Sequence, residues 1–176
     1  DAGVPDCKAT VAYDTRGRVG RELLARFGAT GGVGVCGVHG ELGDEVNRRI
    51  AANREAGRTG PEWRPRSRPN EVESLAVRRC LALAREAGGA AWVVHLSTAE
   101  GLREIETARR AGQTVLVETC PQYLSLTDEV YEKPAFERPK FVRSPPLLPA
   151  TDTAPPCPGL ANGDAARIPH YTRPLP

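Results

Sequence analysis

The sequence predicts an α/β chain of about four βα units around a parallel sheet, followed by an irregular proline-rich tail. Three observations predict it. Short β-type runs alternate with longer helical patterns from Lys8 to Thr119. Apolar residues between those runs recur at helical spacing. Nine of the sixteen prolines fall between Pro145 and Pro176, where the alternation stops. At 176 residues the chain has room for one domain, yet it falls short of the roughly 250 that a complete (β/α)8 barrel needs.

The β-type runs are Lys8–Tyr13, Val33–His39, Ala91–Leu96 and Thr114–Thr119. Gly57–Pro69 reads as a polar loop. A helix is predicted from about Asn70 to Ala87, with Val72, Leu75, Ala76, Leu83 and Ala84 as its apolar stripe and Gly88-Gly89 as its stop. The next helix opens on Ser97 and Glu100, an S-x-x-E capping box. It shows Leu102, Ile105 and Ala108 on one face and closes at Arg109, Arg110 and Gly112. From Pro145 onward no packed element is expected. The chain thus divides into residues 1–149, which hold the βα units, and an irregular tail, 150–176.

Composition narrows the function. With 24 Lys+Arg against 22 Asp+Glu the formal charge is +2, too balanced for a surface that tracks phosphates, so nucleic acid is not an expected partner. Five cysteines, an odd number without a C-x-x-C pair, point to neither a disulfide framework nor a zinc ribbon. They fit a reducing cytoplasm. No apolar run approaches the roughly 18 residues of a membrane span. The chain holds no methionine and opens on Asp1, so a reading frame that begins inside a longer gene is expected.

Two of the three histidines, His39 and His95, stand at the ends of predicted strands. In parallel α/β barrels the carboxyl ends of strands converge on one face, so residues 56 positions apart can meet there and offer two imidazoles to a metal. A structural role for each histidine is the alternative. Lys8 lies in an otherwise apolar run, where an ammonium is costly unless paired, neutralised or modified. It either extends to solvent from the strand start or, if neutral, reacts with carbon dioxide to give an anionic carbamate.

Taken in order, these segments resemble the D-hydantoinase/dihydropyrimidinase family of the amidohydrolase superfamily. Lys8 with Ala12-Tyr13 is similar to its Lys-x-x-x-Ala-Tyr segment, and His39-Gly40-Glu41-Leu42-Gly43-Asp44 to its His-x-Glu-Asn-Gly-Asp. Val93-Val94-His95-Leu96-Ser97, Glu118-Thr119-Cys120-Pro121-Gln122-Tyr123-Leu124 and Ser144-Pro145-Pro146-Leu147 follow in the same order. The likeness runs from about Asp6 to Pro149.

The resemblance implies a partial (β/α)8 TIM-type barrel, the fourth to seventh strands of the whole. It implies zinc, two ions in an intact site and at most one here. Lys8 would be the carbamylated bridging ligand, and His39 and His95 imidazole ligands. Tyr13 would stabilise the oxyanion, and Ser144 would hold the ring amide. The implied activity is hydrolytic opening of a small cyclic amide, a hydantoin or dihydropyrimidine, by metal-activated water in a cytoplasmic homo-oligomer.

There are departures. Leu42 replaces the family's Asn, Cys7 and Thr10 stand where bulky apolar residues are common, and Lys8 and His39 are closer in sequence than is usual. The first strand's His-x-His and the eighth strand's Asp have no counterparts. Family members continue from Gly-Leu-x-x-Gly-Asp, as at Gly159–Asp164, into Asp-His-Cys-Pro, whereas this chain ends Arg173-Pro174-Leu175-Pro176. The codons of the former, displaced by one nucleotide, encode the latter, so a frameshifted tail is expected. A truncated, inactive fragment is therefore the expectation for the 176 residues alone. Gln122 and Ser144 favour the hydantoinase side over allantoinase or dihydroorotase-like relatives. Lys8, His39 and His95 speak against a non-catalytic dihydropyrimidinase-related scaffold.

Overall fold

The computed structural model describes residues 6–10, 35–134 and 136–152. Four strands form one parallel sheet: β1 is Asp6–Thr10, β2 Val35–His39, β3 Ala91–Val94 and β4 Val115–Val117. Their spatial order is their chain order, and each neighbouring pair is parallel, so successive strands step one place in a single direction. Cys36 pairs with Ala91 and His39 with Val94, which brings the carboxyl ends of β2 and β3 level. The fold is thus α/β with a small parallel sheet, as the alternating pattern predicts. Tyr13 and the tail beyond Asp152 lie outside the described residues.

Helices α1 (Gly43–Glu55), α2 (Arg64–Ser67), α3 (Asn70–Glu86), α4 (Ala99–Arg110) and α5 (Pro121–Ser125) connect and extend the sheet. The core lies where α3 and α4 cover it. Val77, Cys80, Leu81 and Ala84 of α3 and Leu102 and Ile105 of α4 pack with Val38, Ala91, Val93, Val115 and Val117 of the strands. Burying Val- or Leu-sized side chains contributes about 1.5–3 kcal/mol each, and here the helices and strands supply them from both sides. No helix among the described residues is long and apolar enough to cross a membrane.

The predicted α3 boundaries hold to within a residue, with Gly88 at φ 67° taking the left-handed position after the helix. Val72, Ala76, Leu83 and Ala84 of the expected stripe are buried, and Leu75 alone departs from it. Leu75 is 44% exposed, while Val77, Cys80 and Leu81 face the sheet. The segment expected as a polar loop contains a 3₁₀ turn at Pro61–Trp63 and the short helix α2. Pro145–Leu148 also corrects the expectation of no packing. It is buried without regular structure, Leu147 lying among Tyr123, Val130 and Tyr131.

The predicted capping box does not form, and the N-cap lies one residue later than expected. Thr98 caps α4 by accepting from the Gly101 amide at 3.0 Å. Ser97 serves another purpose: its amide and hydroxyl both donate to Glu73 Oε1 at 3.0 Å, and the Thr98 amide donates to Glu73 Oε2 at 2.7 Å. Glu73, only 5% exposed, therefore clamps α3 to the start of α4. The two amides lie just before α4, at the end of the helix dipole where negative charge is favoured.

Burial pushes the Glu73 carboxyl up from its usual 4.5 to about 7, against the opposing bonds from Thr98 and Ser97. The folded chain therefore holds this proton where the unfolded chain releases it. This contribution to stability is full below about pH 4.5 and is lost as pH rises through about 7. In Glu73→Gln, unfolding followed against pH should lose that slope; an equal slope in both proteins would contradict it.

Gly101 makes the clamp possible, because a Cβ there would stand 2.8 Å from Leu96 Cδ1 and 2.9 Å from Thr98 Oγ1. Gly101→Ala should destabilise by about 1–3 kcal/mol, the range for overpacking. An unchanged denaturation midpoint would show that the neighbours yield freely.

Candidate metal centre

His39 is the last residue of β2, and His95 is the first residue beyond β3. β3 stops short of the predicted Leu96 because His95 takes φ 44°, a left-handed conformation that breaks the pleat. The chain then returns to the sheet, with the Leu96 amide donating to Glu118 O at 2.8 Å and Thr119 Oγ1 donating to Leu96 O at 2.7 Å. Glu73 fixes the next two residues. His95 is thus held in an uncommon backbone conformation by bonds on its C-terminal side.

The two rings meet. His39 Nδ1 and His95 Nε2 are 2.7 Å apart, with ring centroids at 4.5 Å and an angle of 71° between planes. Behind His39, its Nε2 lies 2.7 Å from Glu41 Oε2, and the other Glu41 oxygen lies 3.1 Å from Arg68 Nε. Glu41 is 4% exposed. Its carboxylate can only accept, so in neutral His39 the proton sits on Nε2 and the lone pair of Nδ1 faces His95. A histidine that donates one N–H to a carboxylate and presents the other nitrogen is how metal-ligating imidazoles are oriented.

Two imidazoles are of the type that zinc takes; here His95 Nε2 donates to His39 Nδ1, and His95 would serve a metal with its proton on Nδ1 instead. Their separation is shorter than the roughly 3.3 Å between two nitrogen ligands of one tetrahedral zinc, so an ion would part the rings by about half an ångström. Among the described residues, no group of three or more His, Cys, Asp or Glu could hold a metal. Glu41 is engaged on the far side of His39 and does not complete a set.

Lys8 is in register with Gly37, two residues before His39, on the strand beside β2. Ser144 is exposed and accepts from Arg64 Nη2 at 2.6 Å, while Arg64 Nε donates to the Arg143 carbonyl at 2.6 Å. Arg64 and Arg68 are four residues apart across α2, one joined to Ser144 and the other to Glu41. Burial pulls the Arg64 guanidinium down from its usual range, and the charge of Arg68 adds to this.

Sequence reasoning brought His39 and His95 to one place but gave no role to Glu41, Arg64, Arg68 or Glu73. Glu73 left a signal, since it shares the α3 face of Val77, Cys80 and Ala84, where an acid needs a partner. Arg64 and Arg68 left none, lying in what read as a solvated loop. Cys80 has its thiol pushed up to about 12 by burial and is a packing residue.

No protein-family model matches the chain. Among curated proteins it is 43% identical to a D-hydantoinase of Geobacillus stearothermophilus over 110 residues, 62% of this chain and 23% of that protein. It is 34% identical to a D-hydantoinase of Rhizobium radiobacter over 151 residues, 83% of this chain and 32% of that one. Among solved structures, a D-hydantoinase superimposes with a TM-score of 0.85 at 32% identity, covering 93% of this chain and 36% of its own. The dihydropyrimidinase of Brevibacillus agri NCHU1002 gives 0.80 at 35% identity, covering 85% and 33%. The chain thus spans about a quarter to a third of the curated relatives it matches. Over that stretch, the chain belongs to the D-hydantoinase/dihydropyrimidinase family.

Proposed function

We propose that the chain is the central part of a metal-dependent cyclic-amide hydrolase that opens hydantoin or dihydropyrimidine rings, its four strands being an arc of a (β/α)8 barrel. The observation that carries this reading is the 2.7 Å approach of His39 Nδ1 to His95 Nε2 from the ends of adjacent parallel strands. Residues 1–149 would be the barrel segment. The sequential strand order supports the arc, since doubly wound sheets reverse direction and barrels do not.

His39 and His95 would hold zinc, with a carbamate on Lys8 as third ligand. When bound, zinc supplies Lewis acidity that brings water toward ionisation near neutral pH and polarises a ring carbonyl. Glu41 fixes the His39 ring so that Nδ1, not Nε2, is presented. Ser144 holds the ring amide, and Arg64 orients its hydroxyl by donating to Oγ. Tyr13 donates to the oxyanion that develops as the ring carbonyl is attacked. The neutral substrate meets these groups in a cytoplasmic homo-oligomer of the full-length protein, and the 176 residues alone do not turn it over.

Metal analysis of the purified chain tests the centre. It should retain zinc, lose it in His95→Ala, and bind it about 10- to 100-fold more weakly in Glu41→Gln. Zinc that is absent from the parent, or indifferent to His95→Ala, would remove the proposal. Activity is tested with the missing flanks restored: ring opening of hydantoin or dihydrouracil is expected, and Tyr13→Phe should lower turnover about 10²- to 10³-fold. Opening of allantoin alone would assign the chain elsewhere in the superfamily.

A further inference from the structure

Between α1, α2 and the segment around Val142 lies a cavity of about 500 Å³. Arg54, Arg58, Arg64 and Arg68 line it, with Trp63, and no Asp or Glu is among the lining residues. Only Arg68 is matched, by Glu41. Arg64 is spent on neutral acceptors, the Arg143 carbonyl and Ser144 Oγ. Arg58 lies over the Trp63 ring at 4.5 Å from its centroid. Among the described residues no carboxylate pairs with Arg54, Arg58 or Arg64.

Unmatched guanidinium groups around a hollow repel one another, and half-burying one of them adds a desolvation cost. An anion relieves both. The volume falls in the range of small-molecule sites. The walls combine planar forks suited to a carboxylate with apolar surface from Trp63, Ile50 and Val142. We propose that this cavity is a binding site for a small organic carboxylate, its acid gripped by Arg58 and Arg64 and its body laid against Trp63.

The place of the cavity suggests a source. Arg64 reaches Ser144, and Arg68 reaches His39 through Glu41, so the cavity borders both parts of the proposed centre. Hydrolysis of a cyclic amide breaks the C–N bond: the oxygen of water goes to the carbonyl carbon, one of its protons to the departing nitrogen, and the other is released as the new acid ionises to a carboxylate. A neutral ring thereby becomes an N-carbamoyl acid, and the cavity receives the group the reaction creates. Naming that source rests on the hydrolase reading; the site itself rests on the arginines.

The test is titration of the full chain, freed of metal by chelation, with N-carbamoylglycine, benzoate and inorganic phosphate. Tryptophan emission is followed at constant ionic strength against sodium chloride. A saturable change with either carboxylate is expected, weakened about tenfold or more in Arg58→Gln/Arg64→Gln. Tighter binding of N-carbamoylglycine identifies the product as the ligand, and tighter binding of benzoate a free aromatic acid. If the double variant fails to fold, Arg54→Gln, whose side chain is exposed, should still weaken binding about two- to fivefold. No saturation, saturation by phosphate alone, an equal effect of chloride, or indifference to these substitutions would overturn the site. Zinc retention with no carboxylate binding would leave the hydrolase reading standing without it, and the reverse result would separate them the other way.

Discussion

A buried carboxylate sets the geometry on which the candidate centre depends. Glu73 reaches from α3 to the chain just past β3, where it takes two amides and a hydroxyl from Ser97 and Thr98. These groups immediately precede α4, Thr98 as its N-cap, so one side chain fixes how the helix leaves the sheet. They are also separated from His95 only by Leu96, and the positive φ of His95 costs on the order of 1–3 kcal/mol for a non-glycine residue and persists only where its surroundings impose it. Helix packing, strand termination and the aim of an imidazole are thereby joined at one point. Gly101 is part of the same device, since a larger residue would occupy the space that Leu96, Thr98 and Glu73 fill.

The elements that were legible in the sequence are those whose periodicity coincides with burial. Val93, Leu102, Ile105 and Val115 all lie in one core, and their spacing announced both the strands and α4. What escaped depends on partners distant in the chain. Ser97 looked like the cap because S-x-x-E is a local pattern, but a carboxylate 24 positions earlier claims its hydroxyl and passes the capping role to Thr98. Leu75 belongs to a plausible stripe, yet the sheet contact lies on the face of Val77 and Ala84. Proline content argued against packing at Pro145–Leu148. Hydrogen bonds from Tyr123 Oη to the Pro145 carbonyl and from the Leu147 amide to Tyr131 Oη anchor that segment without a helix or strand.

The same distinction runs through the centre. His39 and His95 could be paired from sequence because parallel strands in consecutive order bring their carboxyl ends together, a topological property that needs no side-chain detail. Glu41 could be seen in the motif but not assigned. His-x-Glu leaves open whether the acid joins its neighbour in facing a common point or stands behind it, and only the placement of Oε2 against His39 Nε2 decides that. Arg64 and Arg68, at the two ends of α2, were invisible for a further reason: a run rich in arginine and proline reads as solvated until a fold supplies the carbonyls and carboxylate that draw these two inward.

Charge balance explains why the acid stands behind the ring. A buried carboxylate with a single neutral donor would carry much of its desolvation cost uncompensated. Arg68, with its side chain 12% exposed, supplies a permanent cation to one Glu41 oxygen and leaves the other to accept from His39. Because the acid and arginine already balance, the bond to His39 orients the imidazole without requiring a second cation there. Nδ1 then keeps a lone pair directed at the space before His95, which suits that nitrogen to a Lewis acid better than a doubly protonated ring would be. The Arg68–Glu41 pair thus sustains a donor nitrogen, and it ties that donor to the cationic wall on the other side of α2.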